Sequence, residues 1–467
     1  MGKNNNSSIA SAPTGWETAP IGELFQLNPS KPSRTSLPSD APVTFVPMAA
    51  VDQISGTIAN PETREFSKVR NGGYTFFAEN DVLLAKITPC MENGKAAIAR
   101  DLVNGMGFGT TEFHVFRSLG NVLPDFLYHF IRQERFRKDA EANMTGTVGQ
   151  KRVPKEFVEN YLLPYPSDLD DQRRIVAKLD QLLPCVESCR DRLSRIPALL
   201  KRFRQSVLSA ACSGKLTEDW RAAHSVNDDL DKIIEGIKQR RLKSSSDSAK
   251  RKIEAIYSQE ESEDYLELPE GWRYVALGKL CESFQYGTSA KSLKSGMVPV
   301  LRMGNLQDGE IDWNDLAFTD DKSEIAKYSL QPNSVLFNRT NSPELVGKTS
   351  IYRGEQPAIF AGYLIRVHNC PELNPEYLNF CLNSSYARTF CNRVKTDGVN
   401  QSNINAQKLA SFELPFCPPA EQEEIVNRVN ALLRLAKQIE QRYQNANLQV
   451  ERLPQSILAK AFRGELA

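Results

Sequence analysis

Cys185 and Cys189 stand one helical turn apart, close enough for two thiolates to share a metal ion or cycle through a disulfide. No two of the nine cysteines are spaced as C-x-x-C, so this pair reads as small apolar residues on a helix face. An odd number of thiols without an export signal points to a reducing cytoplasm. His114, His129, His224 and His368 are scattered, two of them in strand-like runs, and are expected to be structural or surface groups. A nuclease would gather carboxylates and a lysine around a metal. No E-x-K occurs, and the one D-x-K, Asp320 to Lys322, is remote from the one Pro-Asp, Pro124-Asp125. The G-x-x-x-x-G-K-[ST] phosphate loop, a G-x-G-x-x-G after a strand and the Asn/Asp-Pro-Pro-aromatic tetrad are all absent. ATP hydrolysis, methyl-donor binding and chemistry on a flipped base therefore have no motif, and neither a cofactor nor a metal is expected on this chain.

What remains is binding. Polar and basic side chains suited to phosphates and base edges sit in loop contexts at two places. The first holds Lys86, Thr88, Lys95 and the loop Thr145, Thr147, Gln150, Lys151, Arg152. The second holds Arg302, Asn305, Arg339, Asn341, Lys348 and the loop Asn400, Gln401, Ser402, Asn403, Asn405. Net charge is only +1, from 58 Lys and Arg against 57 Asp and Glu, so any nucleic-acid role must come from local basic surfaces.

The elements that position these residues are written twice. GWETAPIGEL (Gly15 to Leu24) returns as GWRYVALGKL (Gly271 to Leu280) at an offset of 256. NDVLLAKITPCMENGK (Asn80 to Lys95) returns as NSVLFNRTNSPELVGK (Asn333 to Lys348) at 253. DQRRIV (Asp171 to Val176) returns as EQEEIV (Glu421 to Val426), and QSVLSAACSGKL (Gln205 to Leu216) as QSILAKAFRGEL (Gln455 to Leu466), both at 250. With 467 residues the chain exceeds one core. It divides into tandem copies of a unit of roughly 200 residues plus a connector.

Within each copy the texture changes once. Residues 15–166 and 268–416 mix short β-like runs with one helical patch each, and are expected to be α+β domains. Residues 167–217 and 417–467 are expected to be helical. Ile425, Val429, Leu432, Ala436, Ile439, Tyr443, Ala446, Val450, Leu453 and Ile457 form an unbroken heptad stripe, and subtracting 250 gives an apolar residue every time, from Ile175 to Val207. Two helices of about 40 residues, about 60 Å long, would bury these stripes against each other as an antiparallel coiled coil with approximate two-fold symmetry. Pro184, Pro197 and Pro454 predict kinks or breaks. Residues 218–267 read as a solvated linker with a surface helix, and residues 1–14 as a disordered tail. No apolar run approaches the length of a membrane span, so no membrane partner is expected.

The ordered duplication of GW-x5-GEL/GKL openings, [DE]Q-x2-IV helix starts and QS[VI]L-x5-G-x-L helix ends resembles the specificity subunit of Type I restriction–modification systems, from Gly15 to Ala467. The resemblance implies two target recognition domains, each binding half of a bipartite, asymmetric sequence in double-stranded DNA. It implies helices that act as a ruler and dock two methyltransferase subunits, which carry S-adenosylmethionine and the adenine chemistry. Motor-nuclease restriction subunits complete the complex, and the specificity chain itself catalyses nothing. A specificity subunit of another restriction class, or a coiled-coil scaffold with two protein-binding heads and no DNA role, would share much of this pattern.

Overall fold

Each domain opens on the same turn. In Pro13-Thr14-Gly15-Trp16 and Pro269-Glu270-Gly271-Trp272, the Trp N–H donates to the Pro carbonyl at 3.0 Å. Gly15 and Gly271 hold φ at +84° and +82°, a conformation that a side chain would strain. The structure is a computed structural model and describes residues 13–147, 149–224, 229–259, 267–399 and 401–466. Of the tail expected over 1–14, residues 1–12 lie outside the described residues, whereas Pro13 and Thr14 belong to this ordered turn.

Strand Trp16–Pro20 leaves the turn and pairs antiparallel with Leu162–Pro166; Arg273–Ala276 likewise pairs with Glu413–Phe416. The first and last strands of each domain are thus hydrogen-bonded, which closes the domain on itself. Inside it lies a four-stranded antiparallel sheet, ordered Phe25–Leu27, Phe113–Ser118, Val82–Ala85, Ala96–Ile98 in the first copy. The second copy repeats it as Cys281–Tyr286, Leu364–Asn369, Ser334–Asn338, Thr349–Tyr352. The runs Val82–Ala85 and Ser334–Asn338 are buried at every position, because both faces of the sheet are covered. A smaller sheet joins Pro42–Val46 antiparallel to Glu62–Glu65 and parallel to Met106–Gly109, with Thr75–Ala78 on its edge. Its counterpart has three strands, Ala317–Thr319, Val298–Leu301 and Ile359–Phe360, in the same antiparallel–parallel arrangement.

The [DE]Q helix starts have a structural cause. Gln172 and Gln422 are 0% exposed. Gln172 accepts the Leu123 N–H at 2.9 Å and donates to the carbonyls of Asn121 and Pro166 at 3.0 and 2.9 Å. Gln422 accepts the Asn374 N–H at 2.7 Å and donates to Glu372 and Cys417 at 3.1 and 2.8 Å. Each amide satisfies three backbone groups and ties the helix start to its domain. The helices are Leu169–Ser194, Ile196–Cys212 and Pro419–Ala461. Of the three prolines, only Pro197 coincides with a break; Pro184 and Pro454 lie inside continuous helices.

By compactness the described chain divides into 13–194 with 443–466, and 195–442. The division falls within the helical segments rather than at the expected domain–helix junctions. In the first unit, Ile175 and Leu179 share a core with Leu458, Ala461 and Phe462, while Arg190 further along pairs with Glu451 at 3.2 Å. In the second, Val207, Leu208 and Ala211 share a core with Ile425 and Val429, and Arg204 pairs with Glu440 at 2.7 Å. As one helix advances its partner recedes, so the pairing within each unit is antiparallel. The stripe is not buried throughout: Leu182, Cys189, Phe203, Ile439 and Leu453 are exposed.

The repeated helix end docks on the repeated turn. Gly214 and Gly464 hold φ at +72° and +75° and end their helices in the left-handed conformation. A Cβ on Gly214 would meet Pro269 Cγ at 2.4 Å, and one on Gly464 would meet Pro13 Cβ at 2.9 Å. Residues 218–224 and 229–257 are not a solvated linker. Helix Leu230–Lys243 packs on the second domain through Leu230 and Ile237, and its Arg240 makes a two-pronged pair with Glu372 at 2.7 Å. Helix Asp247–Tyr257 is tied by the Tyr257 hydroxyl, which donates to the Lys279 carbonyl at 2.6 Å, and helix Glu218–Ala223 by the pairing of Arg221 with Glu421. Residues 225–228 and 260–266 of the expected linker lie outside the described residues.

Replacing Gln172 or Gln422 by Leu leaves three backbone groups without their partner, one of them buried, a cost of about 2–4 kcal/mol. Denaturant unfolding should show Gln172→Leu lowering the midpoint of the first unit and Gln422→Leu that of the second. Equal midpoints for wild type and variants would mean that the amides do not hold the joints.

Candidate nucleic-acid interface

In both domains the central strand of the main sheet runs on into a basic residue at the sheet's edge. Lys86 follows Val82–Ala85; its N–H donates to the Glu112 carbonyl and its carbonyl accepts the Val153 N–H, each at 2.9 Å. Two residues on, Thr88 N–H donates to the Lys151 carbonyl at 3.1 Å, and both Ile87 and Thr145 bridge to Arg152. Lys86, Thr88, Thr145, Lys151 and Arg152 are therefore brought together, with Thr147 and Gln150 on the connecting turn, where Gln150 N–H donates to the Thr147 carbonyl at 3.0 Å. The side chains of Thr145, Thr147, Gln150 and Lys151 are exposed.

The second domain builds the same element more regularly. Arg339 follows Ser334–Asn338, and its carbonyl accepts the Ile404 N–H at 2.9 Å. Thr340–Asn341, Ser402–Asn403 and Thr396–Asp397 then form a three-stranded sheet. In the first domain the matching stretch has only isolated bridges, because Gly146, at φ +125°, stands where Asp397 continues the strand.

Their chemistry differs. In the first domain the Arg152 guanidinium is clamped on Glu112, Nη2 to Oε1 at 2.7 Å and Nε to Oε2 at 2.9 Å, and Nη1 donates to the Gln150 carbonyl at 3.1 Å. The Arg152 hydrogen bonds hold the Glu112 carboxyl below its ordinary range, helped by the charge of Lys86. Burial lowers the Lys86 pKa, with Arg152 adding to the effect and Glu112 opposing it. Beneath them the His114 Nε2 lies 2.9 Å from the Val153 carbonyl. Burial depresses the pKa of this ring, whose Nε2 faces an oxygen that can only accept.

In the second domain Arg339 is held lightly. Its guanidinium lies 4.8 Å over the Tyr286 ring, with the Gly362 carbonyl and Asn403 Oδ1 both at 3.4 Å. Asn403 Nδ2 donates to the Thr340 hydroxyl at 2.8 Å, and Asn341 Oδ1 accepts the Ser342 N–H at 2.8 Å. Gln401 is exposed on the turn. The edge thus presents a stacked cation beside amides, groups that bind phosphates and purine edges.

Several expected residues do different work. Asn305 is 3% exposed and fully engaged. Its Oδ1 accepts the Arg302 N–H at 2.9 Å and its Nδ2 donates to the Asp312 and Asn314 carbonyls at 2.9 and 3.0 Å, so it cannot reach a base. Ser402 is buried and its hydroxyl donates to Asp397. The Lys95 ammonium is held by the Met48 carbonyl at 3.0 Å and that of Lys348 by Gln307 Oε1 at 2.7 Å, a structural tie made in both copies. Arg302 is bound to the Asp315 carbonyl at 2.6 Å. Asn405 caps helix Ala406–Ala410, and Asn400 lies outside the described residues. Glu112, Tyr286, Thr340 and Lys408 contribute to the edges but carry no mark in the sequence, since their partners lie across the sheets. Among the described residues no group of three or more His, Cys, Asp or Glu could hold a metal ion.

A family model described as the Type I restriction modification DNA specificity domain matches residues 13–198 and 269–448. The chain is 32% identical over 354 residues to the specificity subunit of the Type I restriction enzyme EcoKI of Escherichia coli K12, covering 74% of this chain and 66% of that one. It is 26% identical over 478 residues to the EcoAI specificity subunit of Escherichia coli, covering 91% and 79%. Its fold is similar to the crystal structure of the HsdS subunit from Thermoanaerobacter tengcongensis, with a TM-score of 0.64 at 20% identity over 98% of this chain and 99% of that one.

The Arg152–Glu112 clamp carries a signed pH dependence. A carboxyl with a depressed folded pKa contributes its full stabilisation above the unfolded glutamate value, 4.5, and loses it as pH falls through the lower folded value. Because Arg152 is partly exposed, the step is small. Midpoints of denaturant unfolding across pH 3 to 7, about that window, should show an acid-side loss in wild type that Glu112→Gln lacks. Parallel curves would remove the clamp from the account.

Proposed function

The chain belongs to the Type I restriction modification DNA specificity family, and we propose on that premise that each domain reads one half of a split, asymmetric DNA target. The observation that carries this is the duplicated edge: one backbone element, built twice, with Lys86 and Arg152 on the first copy where Arg339 and Asn403 stand on the second. Shared backbone with unlike side chains is what two readers of unlike half-sites require.

The long helices hold the unread spacer between half-sites and dock two methyltransferase subunits. Those subunits carry S-adenosylmethionine and methylate adenine, and motor-nuclease subunits join them for restriction. This chain selects the site and takes no part in bond making. The coiled-coil scaffold without a DNA role is not what the family match supports. No helix of the described residues is long and apolar enough to cross a membrane, and we place the complex in the cytoplasm, where the host DNA is.

Co-expression with the partner methyltransferase, followed by mapping of methylated adenines in host DNA, tests the reading. The expected result is one bipartite motif with a constant spacer. Arg339→Ala or Gln401→Ala should relax discrimination at one base pair of one half-site by about 1–3 kcal/mol and leave the other half unchanged. Lys151→Ala should weaken binding to all sequences and flatten its salt dependence. A copurifying complex that methylates nothing, or an Arg339 variant that alters both halves equally, would overturn the two-reader model.

A further inference from the structure

The edge of the second domain ends in a tip that carries one apolar residue the fold does not use. Val399 is 99% exposed, between strands Thr396–Asp397 and Ser402–Asn403. The base of this hairpin is firmly held. Gly398 N–H donates to the Gln401 carbonyl at 2.8 Å, and the Lys408 ammonium holds the Thr396 hydroxyl at 2.7 Å. Ser402 is bound to Asp397, and Asn403 to Thr340 at 2.8 Å. A side chain on so anchored a turn is presented to whatever the edge meets.

The first domain writes TGTVGQKR over residues 145–152 where the second writes TDGVNQSN over 396–403. Of these eight positions, three agree: Thr145 with Thr396, Val148 with Val399, and Gln150 with Gln401. Thr396 has a structural reason, its bond to Lys408. Just beyond, Val153 and Ile404 are retained as apolar because both are buried. Val399 touches no core. A single exposed aliphatic residue is ordinary on a protein surface. The same residue at the same tip position, where Lys151 and Arg152 have become Ser402 and Asn403, calls for a use outside the fold. Val148 lies outside the described residues and enters only by its place in the sequence.

The chemistry of the groove supplies that use. A two-stranded β-ribbon fits the major groove of DNA, and the one apolar group that base pairs display there is the thymine 5-methyl. Gln401 on the same turn, and Asn403 and Arg339 further along the edge, supply groups for polar edges and phosphates. We propose that Val399 packs on a thymine methyl in the half-site read by the second domain, as a specificity contact. This rests on the DNA-recognition reading above.

The test uses the full chain in complex with its methyltransferase subunits and duplexes carrying the mapped target. Each thymine of the second half-site is replaced in turn by deoxyuridine, which lacks only the methyl. Wild type should lose about three- to ten-fold in affinity at a single thymine, the scale of one buried methyl or a modest base contact. Val399→Ala, and Val399→Thr, which keeps the shape and adds a hydroxyl, should lose a similar factor on the thymine duplex. Neither should lose more on the deoxyuridine duplex, and replacements in the first half-site should not distinguish them from wild type. Variants that match wild type on every duplex, that lose equally on unrelated DNA, or a second half-site without thymine on either strand would overturn the contact while recognition itself stands. A wild-type complex with no sequence preference would instead remove the recognition reading, and this contact with it.

Discussion

The buried amides of Gln172 and Gln422 are the joints on which the rest of the architecture depends. No side chain other than an amide offers an acceptor and two donors in one rigid plane, and each of these uses all three on backbone groups of its own domain. The helix start is thereby fixed against the strand that closes the domain and the loop that enters its helical patch. Given a fixed joint, the hydrophobic stripe at the helix start is committed to one direction. In each unit it meets the end of the other long helix through Leu179 and Leu458, or Val429 and Val207.

The acid beside each amide shows how far the copies have drifted around a shared frame. Glu421 is buried, accepts from the Thr217 hydroxyl at 2.7 Å and the Trp272 indole at 2.8 Å, and pairs with Arg221. A buried carboxylate without these partners would be costly, so helix Glu218–Ala223, which supplies Arg221, is part of the second domain's support. Asp171 is partly exposed and pairs only along its own helix, with Arg174. The frame can lose or gain such a pair, whereas the amide is the same in both copies. The edges beyond the joints vary more still, from a clamped Arg152 to a stacked Arg339.

Much of this was legible in the sequence because repetition exposes constraint. Gly15, Gly271, Gly214 and Gly464 could be read as paired domain openings and helix ends, and each proves to hold a positive φ. The alternation of short strands gave the two α+β domains, and the stripe gave the helices. A surface helix was expected within residues 218–267, but the docking of helices over residues 230–257 was not legible, because their buried face amounts to a few residues, Leu230, Ile237 and Ile253, set among many charges. The continuity of helices through Pro184 and Pro454 was hidden for a different reason: proline is a local breaking signal, yet each lies inside one helix. At the interface, residue type identified the right loops but not each residue's task. Asn305 and Ser402 have the composition of readers and the surroundings of braces, and only the partners across the sheet separate the two.

The first unit takes part of its core from residues distant in the chain. Phe462 packs edge-on against Phe126 and Phe130, at ring separations of 5.0 and 5.3 Å, across more than 330 positions of sequence. During synthesis, the domain that leaves the ribosome first therefore waits longest for its last core residues, while the second unit, from 195 to 442, is one unbroken stretch. At translation rates of about 5–20 residues per second, that wait lasts roughly a quarter of a minute or more, with the Ile175 and Leu179 stripe uncovered. The first unit thus depends on core residues that are made only after the whole of the second unit.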